Sequence, residues 1–219
     1  MIKFDNSYSK LPDEFHRRID FTNNYDPTLI AFNHELAAQL GLDLSEVDEK
    51  TLAKFFSASQ YMPGSTPLAM SYAGHQFGHF VPQLGDGRAM LLGEFISIDK
   101  KRYDIHLKGS GRTFFSRGGD GKSAIGPVLR EYLLSEGMNA LGVPTTRTLC
   151  AVRTGELVQR EYFSPGAVLT RLALGHIRIG TFQFFAAKQD ISNLQKLTDY
   201  SISRLYPEFL SSPEPIIDF

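Results

Sequence analysis

Arg102-Tyr-Asp-Ile-His-Leu-Lys108 reads as a strand that ends on a cation. Ile105 and Leu107 alternate with His106, so one face of the strand suits a core. The aliphatic stem of Lys108 can then lie along the sheet while its ammonium reaches a pocket. A lysine so placed needs an anion to hold it. Glu131, on the next predicted helix, is the best candidate, because it shares a helical face with Val128, Leu134 and Met138 that would turn its carboxylate inward. The plainer alternative is that Glu131 pairs with Arg130 or another surface cation and contributes little. Upstream, Gln83-Leu-Gly-Asp-Gly-Arg88 supplies a glycine turn with its own arginine. Downstream, Arg171 and Arg178 are interleaved with apolar residues in Thr170-Arg-Leu-Ala-Leu-Gly-His-Ile-Arg178, a costly place for purely structural arginines.

These residue types together describe a site for a nucleotide triphosphate. Neutralising several phosphate oxygens with backbone amides demands glycine where a side chain would block approach, and Gly85 and Gly87 meet that need. Arg88 offers a planar, permanently charged fork that can hold two phosphate oxygens at once. Taken alone, Asp86-Gly87 also fits a type I′ hairpin turn.

Composition sets the frame. The apolar fraction of 42% is that of a globular protein, and 219 residues suffice for one sizeable core, or for a small lobe and the beginning of another. A formal net charge of -1 argues against wholesale attraction to nucleic acid or membrane. The charge is uneven, however: from Lys100 to Phe182 thirteen Lys or Arg face six Asp or Glu, which suits either a phosphate-bearing partner or a solvated basic face. The lone Cys150 cannot form an intrachain disulfide and is expected to pack as a small apolar residue, in keeping with a reducing compartment. The N-terminus lacks the apolar stretch of a secretory signal and no segment approaches membrane-spanning length, so the expected location is the cytoplasm.

The order of elements gives the fold class. Residues 1–62 read as an N-terminal extension of loops and helices, with helical candidates at Asn33 to Leu40 and at Ser45 to Phe56, the latter capped by Ser45. Pro63-Gly-Ser-Thr-Pro67 marks a turn. Strands follow at Ala89 to Ile98 and Arg102 to Lys108, joined through Asp99-Lys-Lys. The run from Gly109 to Gly121 holds too many glycines for a regular element. A helix is predicted over Pro127 to Leu141, ended by Gly142, then three strand-like runs near 145–153, 156–163 and 167–173, and a helix over Ile191 to Leu210. The expectation is an α+β fold like a protein-kinase amino-terminal lobe: an antiparallel sheet with a helix carrying Glu131 over 63–182, a helical N-terminal extension, and a hinge with the first helix of a C-lobe over 183–219.

Three other motifs fail on inspection. Gly121-Lys122-Ser123 ends like a P-loop, but Ser116 stands where that motif needs glycine. Gly109-Ser-Gly111 lacks the third glycine of a dinucleotide fingerprint, which is Phe114. His75 and His79 have the spacing of two metal ligands on a helix, but Gln76 replaces the acid a metalloprotease would use and glycines flank them.

Several stretches in order resemble the amino-terminal part of the selenoprotein O family, called YdiU in bacteria. They are Ser71-Tyr-Ala-Gly-His-Gln-Phe-Gly78, Gln83 to Arg88, His106-Leu-Lys-Gly-Ser-Gly111, Ser116-Arg-Gly-Gly-Asp-Gly121, Arg130-Glu-Tyr-Leu-Leu-Ser-Glu136, Gly142-Val-Pro-Thr-Thr-Arg147 and Thr170 to Arg178. The resemblance implies a kinase-like fold in which ATP lies reversed, so that AMP is transferred to Ser, Thr or Tyr hydroxyls of proteins, with UTP used by some members. By motif, the nucleotide contacts would be Gly85, Gly87, Arg88, Lys108, Asp120, Gly121, Arg171 and Arg178, with Glu131 pairing Lys108. The arginine set and Asp120-Gly121 separate this reading from a conventional phosphoryl-transferring kinase, which would use the same lysine and glutamate. A non-catalytic nucleotide-binding module is the remaining alternative. The resemblance places the family's catalytic base and its Mg or Mn ligands beyond the matched region, in a carboxy-terminal lobe past Phe219. This stretch alone is therefore expected to be inactive, with neither base nor metal ligands of its own.

Overall fold

The computed structural model describes residues 1–20 and 25–219. Strands β1 (His16–Arg18) and β2 (Thr28–Phe32) precede helices α1 (His34–Leu40) and α2 (Glu49–Phe56). Next come β3 (Leu68–Met70), a small hairpin of β4 (Gly74–Gln76) and β5 (His79–Val81), and then β6 (Ala89–Ile96) and β7 (Arg102–Lys108). The short β8 (Ser123–Ala124) leads directly into α3 (Ile125–Ala140). Two long strands, β9 (Arg147–Gln159) and β10 (Phe163–Ala173), are followed by α4 (Ile179–Ala187) and α5 (Ile191–Leu205).

The result is a mixed α+β fold around one large antiparallel sheet, ordered β1-β3-β6-β7-β10-β9-β2 with β8 paired to β10. β6, β7 and α3 lie where the sequence puts them, within two residues. The β6–β7 connection closes through Ser97 N–H donating to the Lys101 carbonyl at 2.9 Å. Pro127 falls in the first turn of α3, and Gly142 follows the helix in the left-handed region at φ 78°.

Four readings need correction. The first 60 residues are not only loops and helices, because β1 and β2 pair with β3 and β9 at the two edges of the sheet. These strands are short and lack clean alternation, which hides them in the sequence. Helix α2 is capped by Asp48, whose carboxylate accepts the Thr51 N–H at 2.9 Å, rather than by Ser45. The three strand-like runs after α3 are two strands, since Thr154-Gly155 continues β9 instead of breaking it. Ile179–Ala187 forms a helix that the sequence pattern does not announce, and α5 stops at Leu205, where Pro207 opens a 3-10 turn.

Both faces of the sheet are covered. On one, Leu36, Leu40, Leu52, Phe55 and Phe56 of α1 and α2 pack on Met90, Leu92, Ile105, Leu107, Val152 and Val168. On the other, α4 and α5 bury Phe184, Phe185 and Leu197 against Leu68, Met70 and Leu91, while Val128 of α3 packs on Ala151, Ala167 and Leu169. After α5 the chain turns back on itself, and the ring of Phe219 lies 5.5 Å from Tyr206 and 6.0 Å from Phe182 of α4 between centroids. Cys150 is fully buried as expected, its thiol pushed up to about 12 by burial, and it donates to Thr170 Oγ1 at 3.2 Å. No helix among the described residues is long and apolar enough to cross a membrane.

Candidate functional site

The alternation of β7 builds the site. Ile105 and Leu107 enter the core beneath α1 and α2, which forces Asp104, His106 and Lys108 onto the opposite face. In the neighbouring strand, Arg171 lies directly across from His106. The helix α3 then brings Glu131 over both strands: Lys108 Nζ lies 2.5 Å from Glu131 Oε2, and Arg171 Nη1 lies 3.2 Å from Oε1. One carboxylate therefore holds two cations.

Glu131 reaches this position by a different helical face from the one its apolar neighbours suggest. Val128, Tyr132 and Ser135 meet the sheet, with Ser135 Oγ 2.6 Å from Thr148 Oγ1, whereas Leu134 and Met138 are largely exposed. Helix α3 carries apolar residues on more than one face, so its pattern does not single out the buried side. Leu134 and Met138 instead line a cleft of about 480 Å³ together with Arg88, Lys108, Arg130 and Glu131.

Behind the cations stands a buried relay. Arg171 Nη2 donates to His106 Nδ1 at 2.8 Å, so the imidazole carries its proton on Nε2, which donates to Asp86 Oδ2 at 3.2 Å. Burial, together with the neighbouring His176, brings the His106 pKa down to about 3, so the ring is neutral. Burial opposes ionisation of Asp86, but His106, the Arg178 cation and the Met70 N–H hold its carboxyl below the usual range. Lys108 is lowered chiefly by burial, with Arg171 and Arg88 adding to the effect and the Glu131 hydrogen bond opposing it. Arg171 is lowered by burial, and its Nε finds no hydrogen-bond partner among the described residues. The His106 ring also stacks on His176, at 4.2 Å between centroids.

A second cleft, of about 450 Å³, adjoins the first through Arg88, which lines both. Its walls include Gly85, Gly87, Arg117, Asp120, Gly121, Lys122 and Arg160. The glycines are needed here for packing. A side chain at Gly85 would place its Cβ 2.2 Å from the Phe115 ring, and one at Gly121 would meet the Gly111 carbonyl at 2.0 Å. The amides of Gly85 and Gly87 already donate to the Tyr72 and Gly85 carbonyls, so they are not free for phosphate as the sequence suggested. Gly87 has no positive φ, so Asp86-Gly87 is not a type I′ turn. Asp120 accepts from Arg160 at 2.8 Å and from the Lys122 N–H at 3.0 Å. Arg178 lies 4.1 Å from the centre of the Tyr72 ring, which also lines this cleft.

The predicted residues thus fall into two connected groups. Lys108, Glu131 and Arg171 meet directly; Gly85, Gly87, Asp120 and Gly121 form the second wall; Arg88 joins the two. Phe219 lines neither cleft, its ring being occupied with Tyr206 and Phe182. Lys122 pairs with Glu156 at 2.7 Å and is no P-loop lysine. His75 and His79 sit on the two strands of the β4–β5 hairpin and not on a helix. Among the described residues no group of three or more His, Cys, Asp or Glu could hold a metal, and the carboxylates of Glu131 and Asp120 are already engaged by cations.

All 219 residues match the family described as protein adenylyltransferase SelO. The chain belongs to the SelO family. Its relatives include proteins named protein nucleotidyltransferase YdiU from Rhizobium rhizogenes, 59% identical over 207 residues, and from Nitrobacter hamburgensis, 55% identical over 214 residues. These alignments cover 94% and 98% of the chain but 41% and 42% of the relatives. A third, from Agrobacterium fabrum, is 55% identical over 99% of the chain and 45% of its own length. The chain therefore spans less than half the length of the curated SelO-family relatives it matches.

Sequence reasoning missed Asp86, Asp104, His176 and Arg204. Arg204 of α5 reaches Glu94 Oε2 at 3.0 Å and also pairs with Asp104, whose other oxygen accepts the His176 N–H at 2.8 Å. The alternation that places Lys108 on the open face of β7 places Asp104 there too, a signal present in the sequence. Arg204 gives none, because its partners are distant along the chain.

Proposed function

We propose that this chain holds the triphosphate of ATP or UTP for a protein nucleotidyltransferase that transfers AMP, or UMP, to Ser, Thr or Tyr hydroxyls. The observation that carries the reading is the Glu131 carboxylate shared by Lys108 and the more deeply buried Arg171, with Lys108 and Glu131 lining a cleft that Arg88 and Arg130 also wall. On this reading residues 63–182 form the amino-terminal lobe of a kinase-like fold, 183–219 its hinge and the start of a second lobe, and 1–62 an extension, and the protein works in the cytoplasm. The curated relatives' names, which specify nucleotidyl transfer to protein, support the same class.

In the reaction proposed, a substrate hydroxyl oxygen bonds to the α-phosphorus, the bond to the β-phosphate oxygen breaks, and pyrophosphate leaves. Arg88, Lys108 and Arg171 would stabilise the charge that builds on the departing pyrophosphate. Glu131 keeps the two cations it touches in position, and His106 and Asp86 keep Arg171 aimed. Gly85, Gly87, Asp120 and Gly121 shape the adjoining wall, and Arg178 backs the Tyr72 ring that also lines it. The residues described here do not fit a divalent cation. The family resemblance implies that Mg or Mn, and the base that accepts the hydroxyl proton, would be held by residues outside the site described.

Intact mass of a protein substrate, or of the enzyme itself, after incubation of the full reading frame with ATP and Mg or Mn tests this. A gain the size of an adenylyl group is expected. A gain the size of a phosphate would overturn AMP transfer and return the site to ordinary kinase chemistry.

A further inference from the structure

We propose that Phe77, at the tip of the β4–β5 hairpin, is the platform on which the base of the bound nucleotide stacks. The inference rests on the nucleotide reading above and extends it from the phosphates to the base. Phe77 has φ 53° and Gly78 φ 79°, the geometry of a two-residue type I′ turn. Asn, Asp or Gly ordinarily fills the first position of such a turn, and a bulky aromatic residue there is strained. Phe77 is also 92% exposed. Strained backbone, which collects at functional positions, and an apolar ring in water thus coincide at one residue, and a flat partner stacked on it would take the ring out of water.

The hairpin belongs to the site. It lies in the connection between β3 and β6, which are neighbours in the sheet, and its Gln76 forms part of the wall of the second cleft. Arg117, from the glycine-rich loop on the same cleft, donates to Gln76 Oε1 at 3.0 Å and ties the hairpin across the opening. The other rings nearby are taken. Arg178 covers Tyr72 at 4.1 Å, Arg17 lies 5.2 Å from the centre of Phe114, Phe115 is buried against Gly85, and Phe80 contacts His75 at 5.3 Å between centroids. Phe77, next to Gln76 of the cleft wall, is the most exposed large apolar side chain among the described residues, on a hairpin bordering a cleft walled by Arg88, Arg117, Lys122 and Arg160. Stacking uses the π-face that every base has, so such a platform accepts purine and pyrimidine nucleotides alike.

The test compares binding of ATP, UTP and inorganic tripolyphosphate by the intact protein and two variants. Phe77→Asn keeps a residue at ease in the left-handed conformation and removes only the ring. It is expected to weaken ATP and UTP about ten-fold while leaving tripolyphosphate unchanged, and Phe77→Trp is expected to bind ATP as the parent does. Unchanged ATP affinity in Phe77→Asn would overturn the platform, and so would an equal loss for tripolyphosphate. Retained ATP affinity with reduced transfer to a protein substrate would also overturn it, by placing the tip against polypeptide. If the unmutated protein bound neither ATP nor tripolyphosphate, the nucleotide reading itself would fail, and the platform with it.

Discussion

Asp104 and Lys108 stand on the same face of the same strand, and their surroundings differ completely. At the Asp104 end the charges are matched and sealed: Arg204 lies between Asp104 and Glu94, with all three side chains no more than 3% exposed, and Arg102 reaches Glu94 from outside. At the Lys108 end, Lys108 and Arg171 share Glu131, Arg178 acts on Asp86, Arg88 lines the same cleft, and the Lys108 and Glu131 side chains are 25% and 29% exposed. A closed and balanced ion network joins elements together, here α5 and the N-terminal segment to the sheet. An open network with surplus positive charge is what the proposed phosphate site requires.

Breaking the sealed end should cost most. Arg204→Met strands two buried carboxylates, so a loss of about 3–5 kcal/mol in denaturant unfolding is expected. A loss under about 1 kcal/mol would mean that the network does not hold α5 to the sheet. At the open end the balance should reverse. Glu131→Gln removes the carboxylate that Lys108 and Arg171 share, and is expected to weaken ATP binding at least about ten-fold while costing about 1–2 kcal/mol of stability, less than Arg204→Met, because the Lys108 pair is partly solvated although Arg171 is buried. Equal losses of stability at the two ends would erase the distinction.

Acid gives a smaller effect. His106 faces Asp86, Arg171 and His176, and its folded pKa of about 3 lies below the ordinary histidine value of about 6.5. The unfolded chain therefore binds the extra proton first, so this group's contribution to stability is complete above about pH 6.5 and falls as pH drops toward 3. His176, also lowered by burial, acts in the same direction. Urea midpoints across that range should decline with acid, and His106→Asn should flatten the slope; a pH-independent midpoint would contradict a neutral buried ring. Smallest of all, Asp120→Asn loosens an exposed pair with Arg160 and is expected to shift the thermal midpoint by the equivalent of about 0.5 kcal/mol or less.

How much of this is legible in the sequence follows from range along the chain. Lys108 and its strand can be read because period-two alternation is local, and Glu131 because the next helix carries a carboxylate beside a buried valine. The faces of α3 cannot be read, since its apolar residues do not form a single stripe and the deciding contact is Ser135 with Thr148 on another strand. Arg171 stands out for its apolar neighbours, but its pairing with His106 depends on strand register, which sequence spacing does not give. Gly85 and Gly87 are indispensable as the sequence suggests, but for a different reason: the crowding comes from Phe115, far along the chain.

Whether the open end of β7 is a triphosphate clamp is decided most directly by titrating ATP into the intact protein and its Lys108→Ala variant. Binding by the first and its loss in the second, with the circular dichroism spectrum and unfolding midpoint retained, is the predicted result. Equal ATP affinity in the two proteins would contradict it.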